Sequence, residues 1–302
     1  MDGRISNFAQ VTSIRRYTIT EGREAGLSVI DCDTGRIRFL LNVTKGCDVM
    51  QLYHEGQNMS FVSKNGFTTD KGDFLRRFEG GMLYTCGLDS VGGRDGYPIH
   101  GNYHNNPAEI TRSECTEEGI VVEATIRDSS LFGQSLVLKR RITAPIGGDT
   151  LTLTDTIVNE ACRDEGYCVL YHINVGYPML SEGARVEAEI ESCTPRTPWS
   201  EKTRGEMLTA SAPVPNQEEM CYFLKLKKPE ISLVSPSLGK KLTVSYSEET
   251  LPHLVLWRSM ASGDYALGLE PATTLLDGGF AYKTLAPGER VTLSVSIKVE
   301  RE

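Results

Sequence analysis

Apolar and polar positions alternate with a period of two along much of this chain, a pattern that predicts β-strands. Over 120–127, Ile120, Val122, Ala124 and Ile126 share one face, while Val121, Glu123, Thr125 and Arg127 share the other. Leu151, Leu153, Asp155 and Ile157 stand against Thr152, Thr154 and Thr156, and Leu242, Val244 and Tyr246 stand against Thr243, Ser245 and Ser247. Near the C-terminus Val291, Leu293, Val295, Ile297 and Val299 fall on one face, directly after the turn-like Ala286-Pro287-Gly288-Glu289. Shorter strand candidates are 36–42, 135–142, 187–191, 220–226 and 265–269. Each such strand can pack one face and wet the other.

Few windows of ten or more residues carry a 3.6-residue period, so alternating βα units are disfavoured. The least strand-like long section is 65–106, rich in glycine and polar residues, which reads as extended loops with short strands inside them and as a candidate binding rim. The expectation is an all-β chain: one domain over 1–302, with N-terminal strands or an extension in 1–35, built as large stacked sheets with a concave face for a ligand. A barrel or propeller uses the same ingredients, but no blade-length repeat is visible.

Composition sharpens this picture. With 302 residues, 39% of them hydrophobic, the chain can bury a sizeable core without staples. Its eight cysteines are scattered and never form a C-x-x-C pair, which points to reduced thiols rather than disulfides or structural zinc. No run of 18 apolar residues occurs, and the opening MDGRISNFAQVTSIRRYTIT has no apolar block after a basic region. No membrane segment and a cytoplasmic location are therefore expected. The formal net charge of -8, with basic residues dispersed except for short groups such as Lys139, Arg140 and Arg141, argues against nucleic acid as a partner.

Histidine is scarce, and its placement singles out four segments. His172 in LYHINVGYP follows an apolar run near the end of a strand. In a cleft its imidazole can exchange a proton near neutral pH, and in the core it would be a hydrogen-bonded packing residue. Glu270 in LGLEPAT is a general-base candidate if partly buried, and a surface carboxylate otherwise. His100 and His104 sit in PIHGNYHNNPAE, where Gly101, Asn105, Asn106 and Pro107 argue against the helix that His-x-x-x-His metal ligation requires. Arg77 in RRFEGG can hold a hydroxyl or carboxylate through its donor fork, or lie in solvent beside Arg76. His54 can line the same cleft or simply pack, His253 reads as a strand-entry residue, and Trp257 can stack on a sugar or fill the core. No phosphate loop, dinucleotide fingerprint or serine elbow is present.

The segments His100-Gly101, LYHINVGYP around His172 and Leu269-Glu270-Pro271-Ala272-Thr273, in that order, resemble the aldose 1-epimerase, or galactose mutarotase-like, superfamily. CGLDSVGG followed by HGNYHNNPAE looks more closely like a bacterial branch of it catalogued as a domain of unknown function (DUF4432-like). The resemblance covers roughly residues 30 to 300 and implies a β-supersandwich with a carbohydrate site on its concave face. It implies His172 as general acid, Glu270 as general base, His100 as a substrate-binding histidine and Arg77 as the arginine preceding it. The family's substrate-holding aspartate has no secure match, Asp264 being only near Glu270.

The chemistry can be argued from the groups themselves. Interconverting the anomers of a cyclic aldose requires a base for the anomeric hydroxyl and an acid for the ring oxygen, and a carboxylate and an imidazole on opposite sides of the ring suit those transfers. No metal or redox cofactor enters the scheme. The expected partner is a small-molecule carbohydrate, free or modified, with a monomer and a homodimer both left open. The competing expectations are a noncatalytic sugar-binding or sensing protein and an isomerase of a sugar acid or deoxy sugar.

Overall fold

The computed structural model describes residues 3–93, 96–277 and 282–302. Strands β1 (Ser13–Thr18), β2 (Ser28–Asp33), β3 (Ile37–Asn42), β4 (Asp48–His54) and β5 (Gln57–Asn58) form a five-stranded antiparallel sheet in chain order. A four-residue helix, α1 (Phe74–Arg77), then precedes β6 (Leu83–Leu88), β7 (Ala108–Cys115), β8 (Gly119–Ser129), β9 (Ser135–Pro145) and β10 (Thr150–Asn159). Beyond them come β11 (Glu165–Val175), β12 (Arg185–Pro195), a short helix α2 (Pro198–Lys202) and β13 (Met220–Ser235). The chain closes with β14 (Lys240–Tyr246), β15 (His253–Ala261), β16 (Asp264–Ala272), β17 (Lys283–Leu285) and β18 (Arg290–Arg301). Strands β6 to β18 make a thirteen-stranded sheet in the order β17-β11-β16-β15-β13-β14-β18-β10-β9-β8-β7, with β12 added on β13 and β6 on β11.

The predicted alternation is realised where one face is wet. In β10 every second residue from Leu151 to Asn159 is buried, and in β18 Leu293, Val295, Ile297 and Val299 point inward. Three strands run longer than their patterns suggested. The expected strand 220–226 continues to Ser235 because β13 pairs with β12, β14 and β15 in turn. Its charged middle faces solvent, where Lys225 meets Glu191 at 2.8 Å and Lys228 pairs with Glu189. The expected 187–191 likewise extends over β12, and 135–142 over β9. Within 65–106 lies β6, whose six residues are all buried, so no alternation marks it.

One large apolar cluster joins Ile30, Phe39, Leu41 and Leu52 of the first sheet to Ile120, Val122, Leu153 and Ile297 of the second. A smaller one, with Tyr84, Cys86, Cys168, Leu170 and Val255, lies beneath the cavity described below. No disulfide links cysteines among the described residues, and Cys32, Cys47, Cys86, Cys168 and Cys221 are buried. No helix among the described residues is long and apolar enough to cross a membrane.

Asp155, odd on an apolar face, is explained by a buried chain of ionic contacts. Lys45 meets Glu79 at 2.9 Å, Glu79 meets His104 at 3.2 Å, and His104 meets Asp48 at 2.7 Å. Asp48 then binds Arg140 at 2.5 Å, Arg140 binds Asp155 at 2.7 Å, and the Tyr171 hydroxyl donates to Asp155 at 2.8 Å. Burial opposes the His104 cation, but its hydrogen bonds to Asp48 and Glu79 prevail and hold its pKa above the ordinary value. Three cations then balance three carboxylates. Desolvating each ion costs several kcal/mol, so the unit is stable only while every member keeps its partner.

Candidate active site

A cavity of about 460 Å³ opens on the face of the large sheet where β11, β16, β15 and β13 lie side by side. Leu170 of β11 lies opposite Ala272 of β16 and Ile173 opposite Leu269, and the same register carries His172 opposite Glu270. Both side chains are therefore cross-strand neighbours on one face, with His172 Nδ1 3.3 Å from Glu270 Oε1. Gly268, two residues before Glu270 on that face, makes the arrangement possible. A Cβ there would stand 2.1 Å from Glu270 Oε1, so the carboxyl lies over the space a side chain would fill.

Aromatic groups surround the imidazole. The His172 ring centroid lies 5.4 Å from those of Phe78 and Trp257 and 5.5 Å from that of His100. His100 occupies the left-handed region, at φ 65°, and its ring packs edge-on against Phe74 at 4.6 Å. Its Nδ1 lies 2.7 Å from the Val91 carbonyl and so carries the proton that it donates there. Gly101, at φ 75°, lets this loop approach β6, since a Cβ there would sit 2.4 Å from the Gly87 carbonyl oxygen.

The electrostatics are set by burial of the titratable groups. Burial, then the nearby Glu219 carboxylate, push the Glu270 pKa well above the carboxylate range, with Arg196 opposing. Burial, then His100, hold His172 down to about 3. Burial brings His100 to about 4 against the Val91 carbonyl, with Arg196 adding to the depression. Glu270 Oε1 and His172 Nδ1 are both buried without a hydrogen-bond partner. A neutral carboxyl beside a neutral imidazole, and a carboxylate beside an imidazolium, are two forms of one pair sharing one proton.

Six predicted residues fall into two groups besides this pair. His100, Trp257 and Asp264 line the cavity. The Trp257 indole N–H donates to Glu219 Oε2 at 2.7 Å, and Asp264 sits at the mouth, 2.7 Å from Lys64. Arg77, His104 and His54 do not line it. α1 contributes Phe74 and Leu75, while Arg77 lies outside, 3.4 Å from Asp70 and hydrogen-bonded to the Arg76 carbonyl. His104 is stacked beneath Tyr84 at 3.8 Å and belongs to the buried ionic chain. His54 is buried elsewhere, its Nδ1 2.6 Å from Lys240 Nζ. The expected placement of base and acid on opposite sides of a sugar ring also changes, because 3.3 Å leaves no room for a ring between them.

The charged lining residues outside the expected set are Arg196, just after β12, Glu219, just before β13, and Lys64, on the connection between β5 and α1. For Arg196 and Glu219 the only signal in the sequence is a charged residue at a strand end, and strand order alone brings those ends together. Among the described residues no group of three or more His, Cys, Asp or Glu side chains is arranged to hold a metal ion.

Residues 24–299 match the family described as "Domain of unknown function (DUF4432)". No curated protein sequence gives a match. Among solved structures, a Klebsiella pneumoniae protein provisionally described as an aldose 1-epimerase aligns with TM-score 0.87 at 20% identity, over 98% of this chain and 87% of that one. A galactose mutarotase-like protein from Clostridium acetobutylicum aligns with TM-score 0.73 at 17% identity, over 97% and 100%. One from Lactobacillus casei gives 0.64 at 14%, over 90% and 100%. At such identities the likeness is one of fold.

Proposed function

Because the chain belongs to the DUF4432 family, within the aldose 1-epimerase and galactose mutarotase-like superfamily, we propose that its cavity binds a monosaccharide and interconverts the anomers by acid–base ring opening. The observation that carries this reading is the unpartnered Glu270–His172 pair on the cavity floor. An anomeric hydroxyl and a ring oxygen are bonded to the same carbon. A base and an acid 3.3 Å apart on one face suit two such neighbouring oxygens better than groups flanking the ring would.

The pair begins with a single proton. In the reactive form Glu270 is the carboxylate and His172 the imidazolium. Glu270 then takes the hydroxyl proton while His172 protonates the ring oxygen, the C1–O5 bond breaks, and the open aldehyde forms. Rotation about C1–C2 and reclosure with roles reversed give the other anomer, and every proton is returned. The surrounding phenylalanines and Trp257 exclude water, which strengthens the electrostatic coupling of the pair to the sugar. His100 Nε2, its Nδ1 being engaged with Val91, is free to accept from a sugar hydroxyl.

The test is Glu270→Gln, an isosteric change, with anomer exchange followed by polarimetry or exchange NMR over a panel of aldoses. Exchange should fall by about 10²- to 10⁴-fold with sugar binding retained. Undiminished exchange refutes the assignment, and binding with no exchange in the parent chain supports a noncatalytic sugar receptor instead.

A further inference from the structure

Lys64 and Arg196 are the only lysine and arginine that line the cavity among the described residues, and each is already neutralised by a carboxylate. Lys64 Nζ lies 2.7 Å from Asp264 Oδ2. Arg196 presents its fork to Asp277, Nε at 2.7 Å from Oδ2 and Nη2 at 2.9 Å from Oδ1, the bidentate geometry that a carboxylate or phosphate of a ligand would otherwise take. The remaining acids of the lining are Glu219 and Glu270, the latter sharing a proton with His172. Among the described residues, an anionic sugar entering this cavity would meet the Glu219 carboxylate and no cation that lacks a carboxylate partner.

We propose that the Lys64–Asp264 and Arg196–Asp277 pairs form a charge filter at the mouth of the cavity, with Asp264 and Asp277 as the specificity-determining residues that turn away sugar acids and sugar phosphates. The inference rests on the carbohydrate reading of the cavity but not on catalysis in it. Discrimination comes here from withholding a partner as much as from offering one. The side chains of Lys64, Asp264, Arg196 and Asp277 are 66%, 44%, 30% and 49% exposed, so the filter acts through partly solvated charges and is sensitive to salt.

The experiment compares D-glucose and D-galactose with their uronates and 6-phosphates. Binding is measured by calorimetry and anomer exchange by NMR, in the parent chain, Asp264→Asn and Asp277→Asn. The parent should favour the neutral sugars by at least about 10-fold, and either substitution, by freeing a cation, should shrink that ratio by about 10-fold, an effect that fades in 0.5 M salt. Lys64→Met removes a cation without freeing one and should not improve anion binding, which separates the filter from a general loosening of the mouth. Equal binding of neutral and anionic sugars by the parent chain, or ratios unmoved in both Asn variants, overturns the filter. Charge-selective binding without anomer exchange upholds the filter and refutes mutarotation, so the two failures are distinguishable.

Discussion

Gly268→Ala isolates the positioning of Glu270 from its chemistry. Gly268 does not occupy the left-handed region, so its backbone accepts alanine, and the exchange removes chain entropy that costs glycine roughly 0.5–1 kcal/mol in a strand. The new methyl, however, would stand 2.1 Å from Glu270 Oε1 and 3.2 Å from Trp257 Cβ. To regain ordinary contact, at 3.4 Å or more, the carboxyl must retreat by at least about 1.3 Å, and a displacement of about 1 Å can already cost about 10²-fold in rate, or about 2.7 kcal/mol in the barrier. Polarimetry on a freshly dissolved anomer should therefore show kcat about 100-fold lower with KM little changed, while urea denaturation finds stability within about 1 kcal/mol of the parent. A folded variant with kcat within about threefold of the parent would refute the claim that the glycine exists to seat the carboxyl.

Further expectations concern pH and the buried ions. Because His172 is held near 3, kcat/KM should persist at pH 5, where an unperturbed imidazole of pKa about 6.5 would be mostly charged; an acid limb near 6.5 in a pH–rate profile would contradict the depression of His172 by burial. His104 has a raised folded pKa, so its stabilisation is fully present below the unfolded value of about 6.5 and is lost as pH rises through the folded value. The stability gap between the parent and His104→Gln in urea melts should accordingly narrow from pH 6 to pH 9, and a constant or widening gap would exclude a charged His104. Arg140→Met strands the Asp48 and Asp155 carboxylates in the core and should cost roughly 3–5 kcal/mol, read from the urea midpoint; a loss below about 1 kcal/mol would mean that the aspartates find other partners.

Strands with one wet face were legible because Leu151, Leu153, Asp155 and Ile157 or Leu293, Val295 and Ile297 alternate with exposed neighbours. β6 was not, since covering both faces of a strand erases the alternation that would announce it. The central pair was readable because His172 and Glu270 interrupt apolar runs. His104 misled for a related reason: a histidine in a polar loop has the same local signature whether it faces a ligand or, as here, two buried carboxylates. Arg196 and Glu219 were invisible as site residues because their neighbourhood depends on β15 lying between β16 and β13, which no local spacing encodes.

β11 is paired on both edges around His172, to β6 over 168–173 and to β16 at Leu170 and over 173–175. A strand so fixed can neither slide nor peel without breaking two ladders, whereas Lys64, Leu75 and Arg196 lie on connections outside any ladder or on the brief α1 turn. Descendants of such a chain can therefore redraw the entrance, and with it the diet of sugars admitted, while inheriting the proton-handling floor intact.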